Sequence, residues 1–355
     1  MPVLTGLRFF LAAWVLLHHL SGRGRMLDAG LHALPPAFGS IVRAGYLAVS
    51  TFFMLSGFVL ARRYLVRGWT RESLTAYGVA RLARVLPLYA LSLVIVAPFI
   101  AADAFPPSGE RATALASYAL LLQGWTGRLG YGWNTPAWSL SCEMFFYLCF
   151  PLAAVWLGGM GRRSALFLGA LTCVLPQAML RAGVPYMWKP LLHMADFLMG
   201  IAAARAYDLL VASGKAWKGR GHWFYAPGAL GALTLILWPQ MLGGLLTVND
   251  ALRPLNALLL VGLALDGGWL AAALAAPVTV YLGQASYAMY ILHIPLLWWY
   301  SRLRPHFLAW LPSTACALLY AAGVVAVSAA VFRFFEAPVN QRIRAWARGE
   351  RGTTG

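Results

Sequence analysis

Acidic residues are scarce in this chain. It has 11 Asp plus Glu in 355 residues, against 28 Lys plus Arg, and charged residues of both signs make up only 11%. Hydrophobic residues make up 61%, and mean hydropathy is +0.67. A water-soluble domain of this length cannot be built with so little charge, so the composition defines a polytopic membrane protein. Cysteine is rare too. Cys142, Cys149, Cys173 and Cys316 all lie in apolar runs without metal-ligand spacing, so they read as small core residues and no metal site is expected. There is no heptad pattern, no convincing repeat and no water-soluble catalytic domain at either end. No basic region precedes the first apolar run and no small-residue cleavage pattern follows it cleanly, so a signal peptide is not expected.

What is present is positive charge, a formal excess of +17. Two readings of it stand side by side. Basic residues fill cytoplasmic loops by the positive-inside rule, and some arginines bind an anionic substrate. Nucleic-acid binding has little support, because the basic residues flank apolar spans and form no basic domain.

Apolar runs occur at 4–21, 44–61, 85–102, 137–158, 164–180, 188–205, 224–246, 254–266, 283–301 and 312–335. The run 254–266 is short and extends towards 250. The run 112–124 is shorter than a comfortable span, which needs ~20 residues. Arg62, Arg63, Arg67, Arg71, Arg81 and Arg84 place the second connection in the cytoplasm. Arg162, Arg163, Lys215, Lys218 and Arg220 also belong inside, as do Arg342, Arg344, Arg348 and Arg351. All are satisfied together only if 112–124 does not cross. The expected fold is therefore all-α, with about ten crossings, both termini inside, and a short re-entrant or surface helix in a long outer segment 103–136. Arg302 and Arg304 oppose this count mildly. Residues 1–345 form one transmembrane domain, with 346–355 a disordered cytoplasmic tail.

Ionisable groups at membrane depth are expensive and are functional candidates by default. Arg8 and His19 open the chain on one run. At ~100° and 1.5 Å per residue they share a helix face about 16 Å apart, while His18 points elsewhere. A second cluster is Ser50–Phe58, reading STFFMLSGF, which helix packing alone could also explain. Arg81 and Arg84 share a face by i,i+3 spacing at the inner surface, as an anchor or as a phosphate clamp. Ser139, Glu143 and Tyr147 share a face at i,i+4 spacing. Glu143 is the acidic residue of its span and must be neutral or paired. Ser286, Tyr290 and His293 share another face, as a site or as a hydrogen-bonded core. Glu336, followed by Pro338 and Arg342, is expected to pair with a nearby cation.

In this order the residues resemble the membrane-bound acyltransferase-3 family. Arg8-x10-His19 is similar to the family's Arg/His pair in its first helix. STFFMLSGF resembles its VDxFFxLSGF segment, with Ser50 where many members carry Asp. Arg81-x-x-Arg84 with Pro87 is similar to its inner arginine motif. Trp138–Glu143 matches WSLxxE, and Leu282–His293 matches LGxxSYxxYLxH. The resemblance covers nearly the whole chain, without the esterase-like SGNH domain that some members add.

The resemblance implies an O-acyltransferase. Its cosubstrate would be acyl-CoA, usually acetyl-CoA, with no further cofactor. Its acceptor would be a carbohydrate hydroxyl outside the bacterial cytoplasmic membrane, on an exopolysaccharide, O-antigen or lipid-linked glycan. Arg8, Arg81 and Arg84 would serve the donor on the inner side. His19 and Glu143 would be catalytic on the outer side, with His19 a general base or an acyl carrier and Glu143 orienting His19 or an acceptor hydroxyl. Ser139, Tyr147, Ser286, Tyr290 and His293 would support them. The acceptor and membrane lipid are the expected partners, and a homodimer or contacts with polysaccharide-assembly proteins stay open. Two other classes compete: a transporter or flippase for a glycan or anionic small molecule, and a non-catalytic sensor, against which the intact Arg8, His19, Arg81, Arg84 and Glu143 argue.

Overall fold

A computed structural model of the chain describes residues 1–65, 69–102, 108–213, 217, 219–243 and 247–348. Among the described residues all regular structure is helical. The helices are α1 (Pro2–Leu20), α2 (Asp28–His32), α3 (Pro36–Arg43), α4 (Ala48–Tyr64), α5 (Arg71–Ala102), α6 (Arg111–Ala119), α7 (Trp138–Leu157) and α8 (Arg162–Arg181). They continue with α9 (Lys189–Ala212), α10 (His222–Leu237), α11 (Val248–Leu265), α12 (Trp269–Leu274), α13 (Pro277–Gln284), α14 (Ser286–Phe307), α15 (Ser313–Val331) and α16 (Ala337–Ala347). The chain is an all-α polytopic membrane protein.

Seven stretches among the described residues are long and apolar enough to cross a membrane: Pro2–Leu20, Pro36–Tyr64, Arg71–Phe99, Thr135–Leu157, Arg162–Arg181, Val248–Leu265 and Ser313–Ala347. The other three expected runs are helical as well, as α9 with 24 residues, α10 with 16 and α14 with 22. α9 and α14 are long enough, but Asp196 and Arg205 in one and Arg302 and Arg304 in the other dilute their hydropathy.

The run 112–124 does not form a span. Its helix α6 has 9 residues, about 13 Å at 1.5 Å per residue, against ~30 Å of hydrocarbon. Leu121 then turns the chain with φ 55, and the Leu122 amide donates to the Ser117 carbonyl at 2.7 Å. That is a left-handed helix stop of the kind usually given to glycine. Tight turns at Gln123–Trp125, Gly127–Tyr131 and Thr135–Ala137 follow. Buried side chains pin this segment. The Tyr89 hydroxyl donates to the Tyr118 carbonyl at 2.6 Å, and Asn134 Nδ2 donates to Ser92 Oγ at 3.0 Å and to the Ile291 carbonyl at 3.1 Å.

Several bounds differ from the sequence expectation. α5 begins at Arg71 rather than 85, because the basic stretch before the apolar run is itself helical. α10 ends at Leu237, before Trp238-Pro239, since a proline cannot continue the donor ladder. The expected run 283–301 starts as the separate short helix α13 and resumes at Ser286. α16 runs to Ala347, so the first two residues of the expected tail 346–355 are helical, while 349–355 lie outside the described residues. A π turn at Phe332–Glu336 joins α15 to α16.

The chain divides into two compact units. The first comprises Met1–Arg67, Leu152–Tyr186 and Leu191–Gln284, the second Gly68–Pro151, Met187–Pro190 and Ala285–Gly355. Each holds part of the expected site.

Candidate active site

In the first unit, α1 is one uninterrupted helix, so Arg8 and His19 do share a face along it. Both are half-buried. His19 Nδ1 lies 2.9 Å from the Val15 carbonyl one turn back. A carbonyl oxygen only accepts, so Nδ1 must carry the proton and Nε2 the lone pair. The His19 carbonyl accepts from the Arg25 guanidinium, which fixes the end of the helix. His18 is used differently. Its Nδ1 lies 2.6 Å from the Arg43 carbonyl and its ring 5.6 Å from that of Tyr46, so it clamps α1 to the segment before α4.

Ser50 is buried on α4 and donates to Asn249 Oδ1 at 2.7 Å. Both members of this pair are neutral. A turn further on, the Phe53 ring lies 5.2 Å from that of His193 on α9. α4 and α9 touch backbone to backbone: a Cβ at Gly57 would strike the Phe197 carbonyl, and one at Gly200 the Met54 carbonyl. Those glycines set the approach that brings His193 to α4.

Sequence reasoning passed over the charged cluster behind His193. His193 Nδ1 is 2.7 Å from Asp196 Oδ2, and Asp196 Oδ1 accepts from Arg253 Nε at 2.6 Å. Arg253 also reaches Asp250 Oδ1 at 2.6 Å, and Asp250 Oδ2 accepts from Gln177 Nε2 at 2.6 Å. Asp250 caps α11 through Thr247 as well. The signal was present as a His-x-x-Asp pair inside an apolar run, with Arg253 one residue before the expected span 254–266.

In the second unit, Arg81 lies over two rings, 5.8 Å from Tyr77 and 5.5 Å from Tyr147. The Tyr147 hydroxyl donates to Glu143 Oε1, as the i,i+4 spacing predicts. This bond gives Glu143 a phenol partner on its own helix. Arg84 lies 5.1 Å over the Tyr287 ring and pairs with Glu336, which is 3% exposed. Glu336 has the cation expected for it, and the π turn sets its direction, since the extra residue rotates the helix face. Arg84 is thus tied to the last helical segment by an ion pair.

Among the remaining expected residues, Ser139, Tyr290 and His293 form a hydrogen-bonded core in the same unit. The Tyr290 hydroxyl donates to Ser139 Oγ at 2.8 Å, and Ser139 donates to the Pro136 carbonyl at 2.8 Å. His293 is 1% exposed, with Nδ1 2.7 Å from the Tyr290 carbonyl. Ser286 is buried on the same helix. The structure brings Ser139 and Tyr290 together and uses them to lock α7 to α14. No group of His, Cys, Asp or Glu able to hold a metal occurs among the described residues.

Long apolar helices that carry imidazoles, arginines and carboxylates inside them define an integral-membrane protein. The chain belongs to the acyltransferase-3 family: that family's model, described as an acyltransferase domain, matches residues 2–333. It is similar to the acyltransferase MdmB of Streptomyces mycarofaciens, 31% identical over 363 residues that cover 93% of this chain and 88% of that protein. No solved structure matches it. The protein is a membrane acyltransferase.

Proposed function

We propose that the protein moves an acyl group, acetyl in the simplest case, from cytoplasmic acyl-CoA to a hydroxyl of an extracytoplasmic carbohydrate. The acceptor class is an exopolysaccharide, an O-antigen or a lipid-linked glycan. The observation that carries this reading is His19. Its Nδ1 is held by the Val15 carbonyl, so Nε2 is the nitrogen with a lone pair for nucleophilic attack or proton abstraction. The arginine distribution supports a multi-pass protein of the bacterial cytoplasmic membrane with both termini inside.

Guanidinium groups suit the phosphates of CoA. Arg81 is the first donor contact in this reading. Arg84 has one NH group on Glu336 and offers its other donors, and Arg8 adds positive charge along α1. Arg81→Ala should raise the apparent Michaelis constant for acyl-CoA. A charge-assisted hydrogen bond is worth roughly 1.5–3 kcal/mol, which is about tenfold to a hundredfold in affinity. Initial rates against acyl-CoA concentration check this, and unchanged donor kinetics in folded protein would return Arg81 to an anchoring role.

Glu143 acts on Tyr147 and on the field around Arg81. Glu143→Gln keeps the shape and removes the charge, so it should cut turnover more than it cuts stability. A lowered melting temperature with normal specific activity would make Glu143 structural. The reaction itself is tested in inverted membrane vesicles given labelled acetyl-CoA. The proposal expects label in the glycan fraction of vesicles carrying the protein, and a transporter would leave acetyl-CoA intact.

A further inference from the structure

We propose that His193 is the base that takes the proton of the acceptor hydroxyl, while His19 carries the acyl group. This rests on the acyl transfer proposed above and divides its two chemical steps between two imidazoles of the first unit.

Both imidazoles lie at one end of that unit. His18, beside His19, is bound to the Arg43 carbonyl just before α4. Ser50, near the start of α4, is bound to Asn249 at the start of α11. His193 packs on Phe53 one turn into α4, and Asp196 is bound to Arg253 in the second turn of α11. The C-terminal end of α1 and the N-terminal ends of α4, α9 and α11 therefore come together.

The cluster behind His193 is arranged as a base requires. Asp196 is 0% exposed and Arg253 2%, while the His193 side chain keeps 17% exposure, so the imidazole is the rim of the cluster and the charges are its floor. The Asp196 carboxylate only accepts. It fixes the Nδ1–H tautomer and leaves Nε2 as the proton-accepting nitrogen. Two carboxylates face one guanidinium, with the imidazole on the first of them. A proton arriving at Nε2 gives an imidazolium whose charge is met in place by Asp196, as in a carboxylate–imidazole pair of a hydrolytic triad.

The chemistry needs such a group. In the first step His19 Nε2 forms a bond to the acyl carbon, the carbon–sulfur bond breaks, and CoA leaves as the thiolate. An acylated His19 can no longer accept a proton there. In the second step the acceptor oxygen bonds to the acyl carbon and the carbon–nitrogen bond breaks, returning its electron pair to His19. The hydroxyl proton passes to His193 Nε2 and from there to water, where it balances the thiolate.

The experiment separates the steps. Purified protein is incubated with carbon-14 acetyl-CoA without acceptor, and transfer is measured in the same cells by mass spectrometry of surface glycans. In His193→Gln the amide can still donate to Asp196, so the ion cluster keeps its bonds. This variant should take label like the wild type, which also proves it folded, and lose transfer by about 10²–10⁴-fold, the usual contribution of a base. Asp196→Asn should give an intermediate loss with labelling intact. Wild-type transfer by His193→Gln overturns the proposal, as does loss of labelling and transfer together in His193→Gln. A wild-type protein that transfers without taking label also overturns it, and leaves the parent reading standing. A wild type that does not consume acetyl-CoA defeats that reading first.

Discussion

His19→Ala should lose acyl transfer by at least about 10²–10⁴-fold, the range that a base contributes, while His18→Ala keeps most of it. The two side chains are ~100° apart on α1, and the structure gives them different work. His18 is bound to the Arg43 carbonyl and packed on Tyr46, so its loss loosens the junction before α4. His19 is bound within its own helix, to Val15, in the tautomer that leaves Nε2 with its lone pair. Specific activity at matched membrane abundance checks the pair. Equal losses in both variants would assign His19 to packing.

Arg253→Met should be the most destabilising single change in the first unit, by about 3–5 kcal/mol, the cost of stranding one partner of a buried ion pair. Arg253 is 2% exposed and is the guanidinium shared by Asp196 and Asp250, with a further bond to the Thr172 carbonyl at 3.4 Å. Removing it leaves two buried carboxylates facing each other across α9 and α11. Arg253→Lys should recover little, because one ammonium cannot reproduce the fork that reaches both acids. Thermal unfolding in detergent reads the effect. A melting temperature within a degree or two of the wild type would show that the cluster is open to water.

Much of the helical architecture is legible in the sequence. Apolar length and arginine placement located the long helices and excluded 112–124 as a span, because both follow from the cost of exposing backbone and charge to lipid. The i,i+4 spacing found the Glu143–Tyr147 pair, and the cost of an acid in an apolar run foretold a cation for Glu336. The family motifs pointed to His19, Arg81 and Arg84. Other features were hidden for physical reasons. The partner of Ser50 is Asn249, far away in sequence, and nothing local announces it. The π turn at Phe332–Glu336 is a one-residue insertion that leaves hydropathy unchanged. The His193–Asp196–Arg253–Asp250 cluster was within reach, since i,i+3 spacing of histidine and aspartate in an apolar run is as costly as any motif used. Arg253 stands at the edge of a run that begins at 254 and extends only towards 250, so its charge does not read as part of the same apolar core.

In the proposed reaction this protein places an acyl group on a carbohydrate hydroxyl outside the membrane, through His19. Mass spectrometry of surface glycans tests it most directly, in cells with the gene, without it, and with His19→Ala at wild-type membrane abundance. The account predicts one sugar that carries an acyl mass in the first strain and lacks it in the other two. Identical glycan masses in all three strains, or full acylation by the His19→Ala protein, would contradict it.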